Sequence, residues 1–168
     1  MTPPSAPFHH IEVWVPDLHR AAAQWGWLLA ALGYQPFQDW ANGRSWRLGD
    51  TYILIEQSPA LTATEHDRQR PGLNHLAFHA GDRATVDTLT QLARDNGWTL
   101  MFTGTHPHAG GTGHYAAYLN NTDGYQIELA SQQPVINNRD PQVLTIAHSA
   151  CGNPVPGWSG SAAVLGLR

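Results

Sequence analysis

Hydrophobic positions change their period along the chain, and the change happens twice. From residue 10, Ile11, Val13 and Val15 alternate with His10, Glu12 and Trp14, as in a strand with one buried face. Behind Asp17 the apolar residues Ala21, Ala22, Trp25, Leu28, Leu29 and Leu32 fall at helical spacing. The succession returns with His75-Leu76-Ala77-Phe78-His79, then Asp82, then Val86, Leu89, Leu92 and Ala93. Asp17 and Asp82 are predicted helix N-caps, and Gly33 and Gly97 stand where a left-handed residue ends a helix. Three strand-like runs follow each helix: Tyr34 to Trp40, Ser45 to Leu48 and Thr51 to Gln57 in the first half, Trp98 to Thr103, His114 to Leu119 and Tyr125 to Ala130 in the second. Gly49-Asp50 and Asp123-Gly124 supply the turns. The pattern predicts one α+β domain over 8–131, built of two βαβββ modules at 8–58 and 72–131. Residues 132–168, with Pro134, Pro141, Pro154 and Pro156, form a C-terminal extension in which Val143 to Ala147 alone reads as a strand.

Composition narrows the partners. With 42% hydrophobic and 13% charged residues the chain has enough apolar material for a single core. A net charge of −4 gives no basic footprint for nucleic acid or an anionic membrane. All nine basic residues are Arg, so Schiff-base and P-loop lysine chemistry are excluded. Cys151, the single cysteine, allows neither an intramolecular disulfide nor a thiolate cage. No apolar run reaches the roughly 18 residues of a membrane span, and the first residues have no leader pattern, so a soluble cytoplasmic protein is expected. Ten His and seven Trp are the unusual feature, and they direct attention to metal and ring chemistry.

Strand alternation sorts the histidines. His10 shares a face with Glu12 and Trp14, opposite Ile11 and Val13, while His9 points the other way. His75, Ala77 and His79 share the corresponding face of the second module. In the last strand of each module Glu56 and Glu128 lie opposite Ile53 and Ile55, or Ile127 and Leu129. A carboxylate in an apolar strand needs a partner, and two His with two Glu recurring on the inward face of a two-fold repeat predict a metal site of His10, Glu56, His75 and Glu128. Such a donor set suits Ni²⁺, Zn²⁺, Co²⁺, Mn²⁺ or Fe²⁺.

These residues resemble the vicinal oxygen chelate superfamily, which includes glyoxalase I, extradiol dioxygenases and bleomycin-resistance proteins. Asn121-Thr122-Asp123-Gly124-Tyr125-Gln126-Ile127-Glu128-Leu129 is similar to its closing motif, with Thr122 where Pro is usual. His10, His75, Glu56 and Glu128 look like the ligands of glyoxalase I. The resemblance implies a cupped eight-stranded mixed sheet with the metal in its hollow, and a homodimer whose site halves meet within one chain or across two.

It also implies chemistry: lyase or isomerase action on a small oxygen-rich substrate through a metal-stabilised enediolate, with Glu128 and Glu56 as base and acid. Trp14, Ala60 and Ala109 replace the positions at which glyoxalase I contacts glutathione, so a glutathione adduct is not expected. Tyr118 and His108 resemble the substrate-contacting tyrosine and acid–base histidine of extradiol Fe(II) dioxygenases, which makes ring cleavage the alternative enzyme reading. A metal-free protein that sequesters a drug is the non-enzymatic one. Trp14 and Trp46 are candidates to line the hollow, and His106, His108 and His114 fall on a Gly-rich loop beside it.

Overall fold

A computed structural model describes residues 8–132 of the 168-residue chain. The first module runs β1 (His10–Trp14), α1 (Leu18–Ala31), β2 (Gln35–Trp40), β3 (Gly43–Leu48) and β4 (Thr51–Glu56). The second runs β5 (Leu76–His79), α2 (Arg83–Ala93) with a 3₁₀ turn at Arg94–Asn96, β6 (Trp98–Leu100), β7 (Ala116–Asn121) and β8 (Gln126–Ala130). Both have one topology, with sheets ordered β1-β4-β3-β2 and β5-β8-β7-β6. The first strand of each pairs parallel with the fourth, as the helical crossover between them requires. The eight expected strands are present, four to a sheet, and among the described residues no hydrogen-bonded strand pairing joins the sheets.

The local signals act where the sequence places them. Asp17 accepts a hydrogen bond from Arg20 N at 3.0 Å. That backbone bond, with the Arg20 charge assisting, holds the Asp17 carboxyl below its usual range. Asp82 accepts from Thr85 Oγ1 at 2.7 Å and from Thr85 N at 2.8 Å, and these bonds lower its pKa in the same way. Gly97 has φ 80°, and a Cβ there would stand 2.3 Å from Gln24 Nε2, so conformation and space both require glycine.

One continuous core takes the apolar face of both sheets: Val13, Val15, Ile53 and Ile55 from the first, Leu119, Ile127 and Leu129 from the second. Trp25, Leu28 and Leu29 of α1 and Val86, Leu89 and Ala93 of α2 enter it as well. The modules meet through α1. Trp25 lies edge-on to Trp98 at 5.4 Å, Gln24 Nε2 donates to Gly97 O at 3.1 Å and to Thr122 Oγ1 at 2.8 Å, and Arg20 Nη2 donates to Asp123 Oδ1 at 2.6 Å. The faces carrying His10 and Glu128 are therefore the ones turned away from the shared core.

Three expectations are corrected. Trp46 pairs with Ile53 and so faces α1, buried against Gly26, and cannot line a hollow. The strands expected from His114 and through Thr103 give way to a loop over 101–115, with β6 ending at Leu100 and β7 starting at Ala116. His9 does not point away from His10: the rings touch, and both lie against Tyr52. Val143 to Ala147 fall outside the described residues.

Candidate metal centre

The second module assembles a site on its open face. Glu128 lies mid-strand in β8, 6% exposed, with Ala77 of β5 on one side and Tyr118 of β7 on the other. Mid-sheet burial of a carboxylate demands partners, and two imidazoles provide them. His75 Nε2 stands 3.2 Å from Oε2, and His114 Nε2 bonds Oε1 at short range. His75 Nδ1 is 2.9 Å from Asn74 Oδ1. Since an amide oxygen only accepts, Nδ1 carries the proton and Nε2 is the nitrogen aimed at Glu128. Tyr118 is buried, its ring edge-on to His75 at 5.9 Å and to Phe102 at 5.5 Å.

The first module does not reproduce this arrangement. His10 pairs with Tyr52 and stacks on its ring at 4.9 Å, while Glu56 pairs with Trp14 at the far end of the same two strands. Four residues along a strand are about 13 Å, so one ion cannot take both His10 and Glu56 from one chain. The repeat shows why. In β5–β8 the residue two after the histidine, Ala77, faces Glu128; in β1–β4 the residue two after His10 is Glu12, and it faces Leu54. Leu54, not Glu56, holds the position of Glu128. The Glu56 carboxylate has no hydrogen-bond or ion partner among the described residues, and Glu12 Oε1 accepts from Trp14 Nε1 at 2.7 Å.

Of the predicted residues, then, the structure joins His75, Glu128 and Tyr118, and leaves His10 and Glu56 apart from them and from each other. No hydrogen bond or ring contact links His10 or Glu56 to His75 or Glu128, and among the described residues no three His, Cys, Asp or Glu side chains converge as metal ligands. His108 is exposed, with Nδ1 3.2 Å from His114 O and its ring on Tyr115. The loop histidine that reaches the site is His114. Its sequence signal was its membership of the Gly-rich loop, which does not distinguish it from His106 or His108. A groove of about 690 Å³ between α2 and β6, bordered by Asp87, Arg94 and His106, holds none of the expected ligands.

The open face of the first sheet is aromatic. Phe37 lies 5.6 Å from Tyr52, Arg47 covers Phe37 at 5.2 Å, and Phe37 and Trp14 are 43% and 39% exposed. Arg44 is committed to Asp39 at 2.6 Å.

Comparison with known proteins agrees with this architecture. Residues 9–118 match the family described as the glyoxalase/bleomycin resistance protein/dioxygenase superfamily, and the chain belongs to it. YqjT of Bacillus subtilis (strain 168), an uncharacterised protein, is 40% identical over 124 residues, which span 73% of this chain and 97% of YqjT. A crystal structure of a candidate glyoxalase from Bacillus halodurans superposes with a TM-score of 0.72 at 37% identity, covering 76% of this chain and 97% of that one. Lactoylglutathione lyase from Agrobacterium tumefaciens shares the fold, with a TM-score of 0.53 at 19% identity over 77% of this chain and 96% of its own. Among the described residues no helix is long and apolar enough to cross a membrane.

Proposed function

We propose that this protein is a divalent-metal-dependent enzyme of glyoxalase type, a lyase or isomerase of a small oxygen-rich substrate, working as a homodimer in which each copy lends part of the site. The observation that carries the reading is the buried pair of His75 Nε2 and Glu128 Oε2 at 3.2 Å. Atoms bound to one ion at about 2.0–2.2 Å stand roughly 2.8–3.6 Å from each other across octahedral and tetrahedral geometries, so the pair has a separation open to two ligands of one ion. In the neutral ring, with the Nδ1 proton directed at Asn74 Oδ1, the Nε2 lone pair faces a carboxylate oxygen. Two acceptors in that relation need a cation or a further proton between them.

His75 and Glu128 would hold the ion, with His10 of a second copy as the third donor. When bound, it supplies Lewis-acid polarisation of adjacent substrate oxygens. Among the described residues Glu128 is the only carboxylate beside His75, so it would remove and return the proton without the Glu56 partner that the ligand pattern suggested. Tyr118 flanks the carboxylate across the strand pair, and Phe102 packs on the Tyr118 ring. Trp14, Ala60 and Ala109 offer no cation to a glutathione adduct, which supports a substrate without that thiol.

A second reading is favoured by one observation. With Leu54 at the place of Glu128, the donors reduce to two His and one carboxylate, the set that leaves open positions on a non-haem Fe²⁺, and Tyr118 is the cross-strand neighbour of Glu128. That combination suits an extradiol-type dioxygenase. A drug-sequestering protein has no use for a buried carboxylate between two imidazoles.

Metal analysis of untagged protein, followed by reconstitution after chelation, tests the reading. Near one ion per chain is expected, and Glu128→Gln and His75→Ala each lower occupancy at least tenfold with an unchanged far-UV CD spectrum. Preference for Ni²⁺, Zn²⁺ or Mn²⁺ favours the lyase or isomerase, and Fe²⁺ with O₂ consumption favours the dioxygenase. Undiminished metal in both variants, or none in the wild type, would overturn the assignment.

A further inference from the structure

We propose that Asn74 is a positioning residue of the metal centre: its side-chain amide, turned by the backbone carbonyl of Arg68, holds the proton of His75 on Nδ1 and leaves Nε2 as the donor to an ion beside Glu128. The inference rests on the metal reading above, and it extends the site into the segment between the two modules. An amide side chain can present either end, and its other contact decides which. Asn74 Nδ2 donates to Arg68 O at 3.2 Å, so Oδ1 is the end that meets His75 Nδ1 at 2.9 Å. Turned over, the amide would set its oxygen against the Arg68 carbonyl and offer Nδ1 a donor, which sends the ring proton to Nε2, where it blocks a metal.

His75 needs this support, because the strand ladder does not reach it. It stands one residue ahead of β5, whose pairing with β8 begins at Leu76 and Ile127. The neighbouring carboxylate also works against ligation. Glu128 Oε2, 3.2 Å from Nε2, is a charged acceptor and draws the ring proton to its own side. Asn74 opposes that draw when its oxygen is held in place, and the segment before it is fastened at several points. His66 N donates to Asp123 O at 2.9 Å, the His66 ring stacks on Tyr125 at 4.4 Å, and its Nε2 meets Leu73 O at 2.8 Å. Asp67 Oδ1 accepts from Gln69 N at 2.9 Å and closes the turn that carries Arg68. The Arg68 carbonyl is thereby fixed relative to the β7–β8 hairpin on which Glu128 stands.

Calorimetric titration of metal-free, untagged wild type, Asn74→Leu and Asn74→Asp with Zn²⁺ and Mn²⁺ alone tests the assignment. Leucine keeps the volume and removes the acceptor, and affinity falls roughly 10- to 100-fold. Aspartate is an acceptor at either end, needs no orienting, and recovers most of that loss. Unchanged affinity in Asn74→Leu, or an equal fall in Asn74→Asp, would overturn the proposal. The second readout is the His75 tautomer in metal-free protein, from ring nitrogen chemical shifts at a pH where the ring is neutral. The Nδ1–H form has a larger share in wild type than in Asn74→Leu, a difference that a purely structural contribution of Asn74 to stability does not produce. Equal shares would overturn the proposal. Absence of metal binding in wild type overturns the metal reading instead, and the tautomer comparison then decides by itself whether Asn74 governs His75.

Discussion

At the scale of single residues, what the sequence makes legible is the face of a side chain, and what it hides is register. Alternation placed His10, His75 and Glu128 on open faces correctly, because a strand turns each successive side chain over. Glu56 obeyed the same parity and still missed its place, since parity is unchanged by a shift of two residues and the pairing of β1 with β4 is set across a helical crossover. His114 was beyond periodicity altogether, for a loop folding over a sheet leaves no repeating mark. The helix caps are local and were read without loss. They also give a pH prediction. The Asp82 carboxyl is lowered from 3.8 by the Thr85 bonds, so its contribution is complete above that value and is lost as pH falls through the lower folded pKa. Asn caps without ionising, so Asp82→Asn should have a lower melting temperature than wild type near neutrality, and the gap should close between about pH 4 and pH 2. A gap that stays constant over that range would show that ionisation of the cap contributes nothing.

Between elements, the chain is held by α1, which serves two modules at once. Its apolar stripe was visible in the spacing of Ala21, Trp25, Leu28 and Leu29, and both modules were legible because each repeats the same order of periods. Its polar attachments were not. Nothing in the periodicity singles out Arg20, Gln24 or Asp123, yet Asp123 is 2% exposed and accepts from Arg20, while Gln24 is buried between Gly97 and Thr122. The Asp123 bond raises the Arg20 pKa. Removal of one member of a fully buried pair costs about 3–5 kcal/mol, and the 39% exposure of Arg20 reduces that here. Arg20→Ala should therefore destabilise by about 2 kcal/mol in denaturant unfolding. Arg20→Ala with Asp123→Asn should cost less than the sum of the single changes, because the double variant leaves no unpaired charge. Additive losses would mean that the two side chains do not cooperate.

For the molecule as a whole, the decisive feature is that two sheets back onto one core and present their open faces outward. One face holds His75 and Glu128, and the other holds His10 among exposed Phe37 and Trp14. On the dimer proposed above, this exposed apolar surface would be covered by the second copy. On the shared-site reading, His10→Ala and Glu128→Gln each lose metal as pure proteins, but a refolded equimolar mixture recovers about a quarter of the sites, since half of random dimers combine one intact His10 with one intact Glu128. No recovery would place the whole site within one chain. The outward-facing sheets carry one more consequence, in kinetics. A chain that finishes its site only on a second copy has a catalytic power that depends on how crowded it is. Specific activity should be flat at high protein concentration and fall in proportion to concentration below the dimer dissociation constant. A cell could then switch such an enzyme off by making less of it, with no inhibitor required.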